Sequence, residues 1–166
     1  KKSMNEMMFL FSTTLMYSTP LIFTAVGGVM SEKSGVINIG LEGMMTFGAF
    51  AASWVAITQN NPWAGLLAGG IAGVLLAFLH AVASIKFKAN QVVSGMAINF
   101  LGSGLAIFFC RIFFDGASMT PPLDLEKKIP AFFNQYATVY IALIVTLIIW
   151  FTFNKTRFGL RLISAG

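Results

Sequence analysis

Five apolar runs, Met7 to Val29, Ile39 to Ile57, Trp63 to Ile85, Gln91 to Phe114 and Tyr136 to Phe153, occupy most of the 166 residues of this chain. Each is close to the roughly 20 residues that a helix needs to cross about 30 Å of hydrocarbon. Backbone amides in lipid must pair within their own segment, so such runs read as helices. Composition agrees, with 10% charged and 57% hydrophobic residues, against about 25% charged in soluble domains. The expected architecture is an all-α polytopic membrane helix bundle. It forms a single transmembrane domain over 1–166, with about five spanning helices and an irregular or broken segment at 31–40.

The net charge of +5 comes from Lys and Arg gathered near the ends of the apolar runs, which orients a membrane protein and gives no reason to invoke nucleic acid. Lys86 and Lys88 mark a cytoplasmic connection, and the tail 154–166, with Lys155, Arg157 and Arg161, a cytoplasmic end. Residues 115–135 read as an external loop. They carry Pro121, Pro122 and Pro130, the balanced charges Asp124, Glu126, Lys127 and Lys128, and an interfacial piece at Phe132 and Phe133. Five simple crossings leave Lys1 and Lys2 outside, unless the 31–38 region is no simple connection and the count shifts by one. The first run is too long for a secretory h-region and reads as a retained span. Pro20 inside it predicts a kink, with Ser18 and Thr19 placed to take up freed carbonyls.

The stretch Ser31 to Met45 sets two carboxylates (Glu32, Glu42), Lys33, Asn38 and the glycines Gly35, Gly40 and Gly43 between the first two runs. If the helix begins at Ile37, then Asn38, Glu42, Thr46, Ala49 and Ser53 share one face. A lipid-facing carboxylate costs several kcal/mol, so Glu42 belongs in a protein interior or a watery cavity. It equally suits the aqueous end of a span, braced by backbone amides or by Lys33, and periodicity leaves both readings open. In the fourth run Gln91, Gly95, Asn99, Gly102, Ser103 and Ala106 share a face. Uncharged amides and hydroxyls there suit either recognition of a polar solute or glue between helices.

The third run carries Gly65, Gly69 and Gly73, continued by Ala77 and Ala81, a small-residue stripe of the kind that brings two membrane helices backbone to backbone. The single His80 near its end reads as a hydrogen-bonded or interfacial histidine ahead of a ligand or proton carrier. The single Cys110 has no disulfide partner in the chain and reads as a small apolar filler. A short echo between Ser34–Asn38 and Ser94–Asn99 is too slight to define a repeat.

No phosphate-cradling loop, metal-ligand cluster or Ser and His catalytic arrangement occurs. The residues favour a conduit over an enzyme. An ion-coupled secondary transporter, a channel subunit and a purely structural membrane subunit remain as alternatives.

The run from Pro20 to Met45, P-L-I-F-T-A-V-G-G-V-M-S-E-K-S-G-V-I-N-I-G-L-E-G-M-M, resembles the signature of bacterial ABC-transporter permease subunits for nucleosides and simple sugars, a branch of the branched-chain amino acid permease superfamily. Asn90 to Asn99 and Thr156 to Arg161 are similar to further motifs of that family. The resemblance implies a multi-pass subunit of a bacterial cytoplasmic (inner) membrane importer. It works beside a second permease subunit, an ATP-binding subunit that holds ATP and Mg, and an extracytoplasmic substrate-binding protein. It places no cofactor in this chain. It further implies a translocation path near Asn38, Glu42, Gln91 and Asn99, and an ATPase-coupling region at Thr156, Arg157, Phe158, Gly159 and Arg161. Family members run longer, so the chain is expected to be an N-terminal fragment that stops short of the coupling helix.

Overall fold

A computed structural model describes residues 2–124, 128–132 and 135–165. The elements are α1 (Lys2–Lys33), α2 (Leu41–Gln59), α3 (Pro62–Ala81) continued by a π turn (Val82–Lys86), α4 (Gln91–Phe113), a two-residue hairpin β1 (Ala131–Phe132) and β2 (Gln135–Tyr136), α5 (Ala137–Lys155) and α6 (Arg157–Ala165). Among the described residues five helices are long and apolar enough to cross a membrane, and they coincide with the five apolar runs. The helices pack as two units, Val36–Lys128 and Lys1–Gly35 with Ile129–Gly166. Glu126, Lys127 and Phe133 of the expected external loop lie outside the described residues.

Local chemistry sets the helix ends. Asn60 closes α2 in the left-handed conformation, and the Asn61 side chain then accepts from the amides of Trp63 and Ala64 while Pro62 supplies the first helical residue. Asn90 caps α4 in the same way through the amides of Val92 and Val93. The break is shorter than the expected 31–40, because α1 continues to Lys33. It leaves the helix through Gly35 at φ +81°, a conformation that L side chains rarely adopt.

In the Val36–Lys128 unit α2 packs between α3 and α4. A Cβ on Gly65 would lie 2.5 Å from the Ala52 carbonyl oxygen, and one on Gly69 2.8 Å from that of Gly48. Gly73 differs, since its nearest neighbour is the Met44 carbonyl at 3.9 Å, so the close approach uses only the first two members of the stripe. Alanine at Gly65 or Gly69 is expected to cost about 1–3 kcal/mol of stability by overpacking. Alanine at Gly73 should be neutral or slightly stabilising through helix propensity. Thermal unfolding of the detergent-solubilised protein checks the contrast.

Across the other face, α4 crosses α2 through Gly43 and Gly102, where a Cβ on either would strike the backbone of the opposite helix. Two apolar clusters flank this crossing. Met44, Leu76 and Ile98 form one, and Phe50, Ala106 and the buried Cys110 the other, the latter continued by Phe47 and Phe109 stacked on Phe50 and by Phe113 stacked on Phe109. Cys110 fills space as expected.

In the other unit α1 passes through Pro20 as one helix. Ser18 and Thr19 do not take the carbonyl that Pro20 leaves unpaired, that of Met16. Each hydroxyl donates four residues back, to Thr14 and Leu15, as those of Thr14 and Thr24 do to Leu10 and Pro20. The Lys33 ammonium lies 5.3 Å from the centre of the Phe153 ring, so it stacks on an aromatic of α5. After Thr156 the chain forms α6, Arg157–Ala165. Thr156 starts it, its hydroxyl donating to the Thr152 carbonyl at 2.7 Å and accepting from the Gly159 amide at 3.2 Å. Gly159 lets the first turn rest on the backbone of Thr152 and Phe153.

Candidate functional site

The polar residues singled out around the second and fourth runs meet at the break. Residues 36–40 are not helical, so Asn38 does not share a helical face with Glu42. Its side-chain carbonyl accepts from the Gly40 amide at 3.1 Å, a local turn, and its amide nitrogen rests 3.8 Å from the Met44 sulfur. Gln91 at the start of α4 accepts from the Ile37 amide at 2.7 Å. Two turns on, Asn99 brackets the entry to α2, donating to the Ile39 carbonyl at 3.0 Å and accepting from the Gly43 amide at 2.8 Å. In this orientation the side-chain amide pairs with a backbone acceptor through its nitrogen and with a backbone donor through its oxygen. Chain segments more than fifty residues apart are thus joined by hydrogen bonds that an irregular backbone in a membrane needs.

His80 belongs to the same cluster. It is 2% exposed, with Nε2 3.2 Å from the Ile37 carbonyl and Nδ1 3.0 Å from the Ser94 hydroxyl. It is the hydrogen-bonded histidine that its isolation in the chain suggests, and it is buried. Close backbone approach completes the arrangement, since a Cβ on Gly95 would come within 3.0 Å of the Gly40 nitrogen.

Glu42 differs from the rest. It lies in the first turn of α2, where a negative charge complements the helix dipole, and its side chain is exposed. Within the Val36–Lys128 unit no hydrogen bond to its carboxylate occurs among the described residues, so the expected brace by backbone amides does not hold it there. Thr46 and Ala49 continue the exposed face and Ser53 is half-buried. Asn38, Gln91, Asn99 and His80 therefore carry bonds to the backbone of the break or of α2, while Glu42 projects from the element they hold.

What the fold and this cluster define is a polytopic helical membrane protein with a backbone break pinned by neighbouring helices. The chain belongs to the branched-chain amino acid transport system / permease component family, whose model matches residues 10–166. It is 36% identical to the nucleoside ABC transporter permease protein NupC of Lactococcus lactis, over 98% of this chain and 57% of that protein. It is 41% identical to the guanosine ABC transporter permease protein NupQ of Bacillus subtilis, over 92% and 54%. A putative glucose ABC transporter permease protein, TsgC13 of Haloferax volcanii, is 34% identical over 95% and 51%. The chain thus spans about half the length of these relatives. No solved structure matches it.

Proposed function

We propose that the chain is part of a permease subunit of an ATP-driven importer, carrying a nucleoside across a bacterial cytoplasmic membrane. The family match over residues 10–166 carries this reading. The cargo follows the printed names of the relatives at 36% and 41% identity, with a simple sugar second on the strength of the putative glucose permease. ATP binding and hydrolysis fall to a partner ATP-binding subunit. A second permease subunit completes the path, an extracytoplasmic binding protein delivers solute, and membrane lipid surrounds the apolar helix faces. Arg157, Phe158 and Arg161, exposed on α6, are the contacts proposed for the ATPase, with Thr156 and Gly159 shaping the helix.

Within this reading the break forms part of the path wall, and Glu42 supplies the polar group that meets the solute. Asn38, Gln91 and Asn99 act at the path by holding its backbone. A carboxylate that accepts hydrogen bonds from a nucleoside binds weakly enough to release it, at about 1.5–3 kcal/mol per charged bond. Uptake of labelled guanosine into vesicles bearing the complete complex, with and without ATP and with ribose as competitor, tests the function. ATP-dependent uptake that ribose fails to block is the expected result. Uptake that follows an ion gradient and ignores ATP would replace the reading with an ion-coupled carrier. Glu42→Gln is expected to lower guanosine uptake about tenfold while the complex assembles normally, as expected when one charge-assisted hydrogen bond is weakened.

A further inference from the structure

We infer that His80 is a positioning residue for transport, fixing the break so that Glu42 is presented to the solute; this rests on the permease reading above. The break carries Glu42 only two residues beyond its end, and the backbone on either side of Glu42 is bonded at Ile37, Ile39, Gly40 and Gly43. Gln91 and Asn99 both belong to α4 and tie the break to that helix. His80 belongs to α3 and makes a different connection, joining α3 to the break through Nε2 and to α4 through Nδ1. One imidazole thus joins three segments.

The chemistry of its partners sets its proton. A carbonyl oxygen only accepts, so Nε2 carries the hydrogen toward Ile37, and in the neutral ring Nδ1 then accepts from the Ser94 hydroxyl. Both nitrogens are satisfied without a charge, which suits a side chain almost wholly removed from solvent. An apolar residue of similar bulk would leave the Ile37 carbonyl and the Ser94 hydroxyl without these bonds. His80 is also in the last α turn before the helix widens to π geometry, shown by the bond from the Phe87 amide to the Val82 carbonyl five residues back. Such widenings recur at functional sites.

The test uses the complete transporter in lipid nanodiscs. Amide hydrogen exchange is followed over residues 37–43, and guanosine uptake is followed in vesicles. His80→Ala is expected to speed exchange of the Ile37 and Gly40 amides about tenfold. His80→Gln, whose side-chain amide reaches toward the Ile37 carbonyl, should stay within about threefold of the native rate. The KM for guanosine should rise in His80→Ala and recover in His80→Gln, with the maximum rate little changed. Unchanged exchange in His80→Ala, or equal acceleration in both variants, overturns the inference, as does accelerated exchange with an unaltered KM. If His80→Ala fails to assemble, Ser94→Ala reads the same connection from its far side. About threefold faster exchange at Ile37 supports the inference there, and a native rate overturns it. The exchange measurement needs no solute, so a native complex that takes up no nucleoside sinks the substrate assignment and leaves the role of His80 to be decided separately.

Discussion

Valine at Gly102 is expected to abolish the packing of α4 on α2 and to cost about 3 kcal/mol or more. Its Cβ would fall on the carbonyl and Cα of Gly43. Both sides of the contact are main chain, so no rotamer change relieves it, and two helices must separate. Separation would also draw Asn99 away from the Gly43 amide and the Ile39 carbonyl, because the same stretch of α4 carries both the glycine and the asparagine. The natural control is Gly104, two residues on, where an added Cβ meets nothing within 4 Å. Alanine there should stabilise by up to about 1 kcal/mol, since glycine is the poorer helix former. Thermal unfolding of the solubilised protein measures both, and a Gly102→Val protein as stable as the native chain would refute the crossing.

The second large effect is expected at Asn99. Leucine there removes the Ile39 donor and the Gly43 acceptor together, leaving two backbone groups unpaired at about 1–3 kcal/mol each. Aspartate is the sharper probe, since it keeps an oxygen for the Gly43 amide but turns a second oxygen toward the Ile39 carbonyl, so attraction becomes repulsion. Both variants should unfold earlier than the native protein. Asn99→Asp should be at least as unstable as Asn99→Leu although it is nearly the same shape. Uptake per assembled transporter should fall with both. Native-like unfolding of Asn99→Asp would show that the bracket contributes nothing.

Much of this fold is legible in the chain because its strongest constraint is one-dimensional. A helix in lipid needs only length and apolarity, and the runs beginning at Gln91 and Tyr136 mark α4 and α5 to within two residues. Asn61 and Asn90 sit next to helix starts and cap them, as short polar side chains there do. The glycine stripe of α3 is visible because its members lie four apart on one helix. Its counterpart across α2 is harder to see, since Gly43 and Gly102 are distant in sequence and stand on different helices. Asn99 and Gln91 show on their own helix face, but periodicity cannot distinguish an amide that binds solute from one that binds backbone, because the partner is a main-chain group on another segment. His80 shows the same limit. Glu42 is the opposite case, for the helical face drawn through Asn38 assumed that Ile37 was helical, and the turn that Asn38 makes with Gly40 delays the helix to Leu41.

The hydroxyls of α1 have a consequence for how that helix enters a bilayer. A free hydroxyl carried into hydrocarbon loses its bonds to water, and the water-to-alkane penalty is about 4–8 kcal/mol. In Thr14, Ser18, Thr19 and Thr24 each proton is already directed to a carbonyl one turn back on the same helix. At these four positions the membrane therefore meets hydroxyl protons that are already satisfied, and those side chains need no partner from elsewhere for the helix to insert.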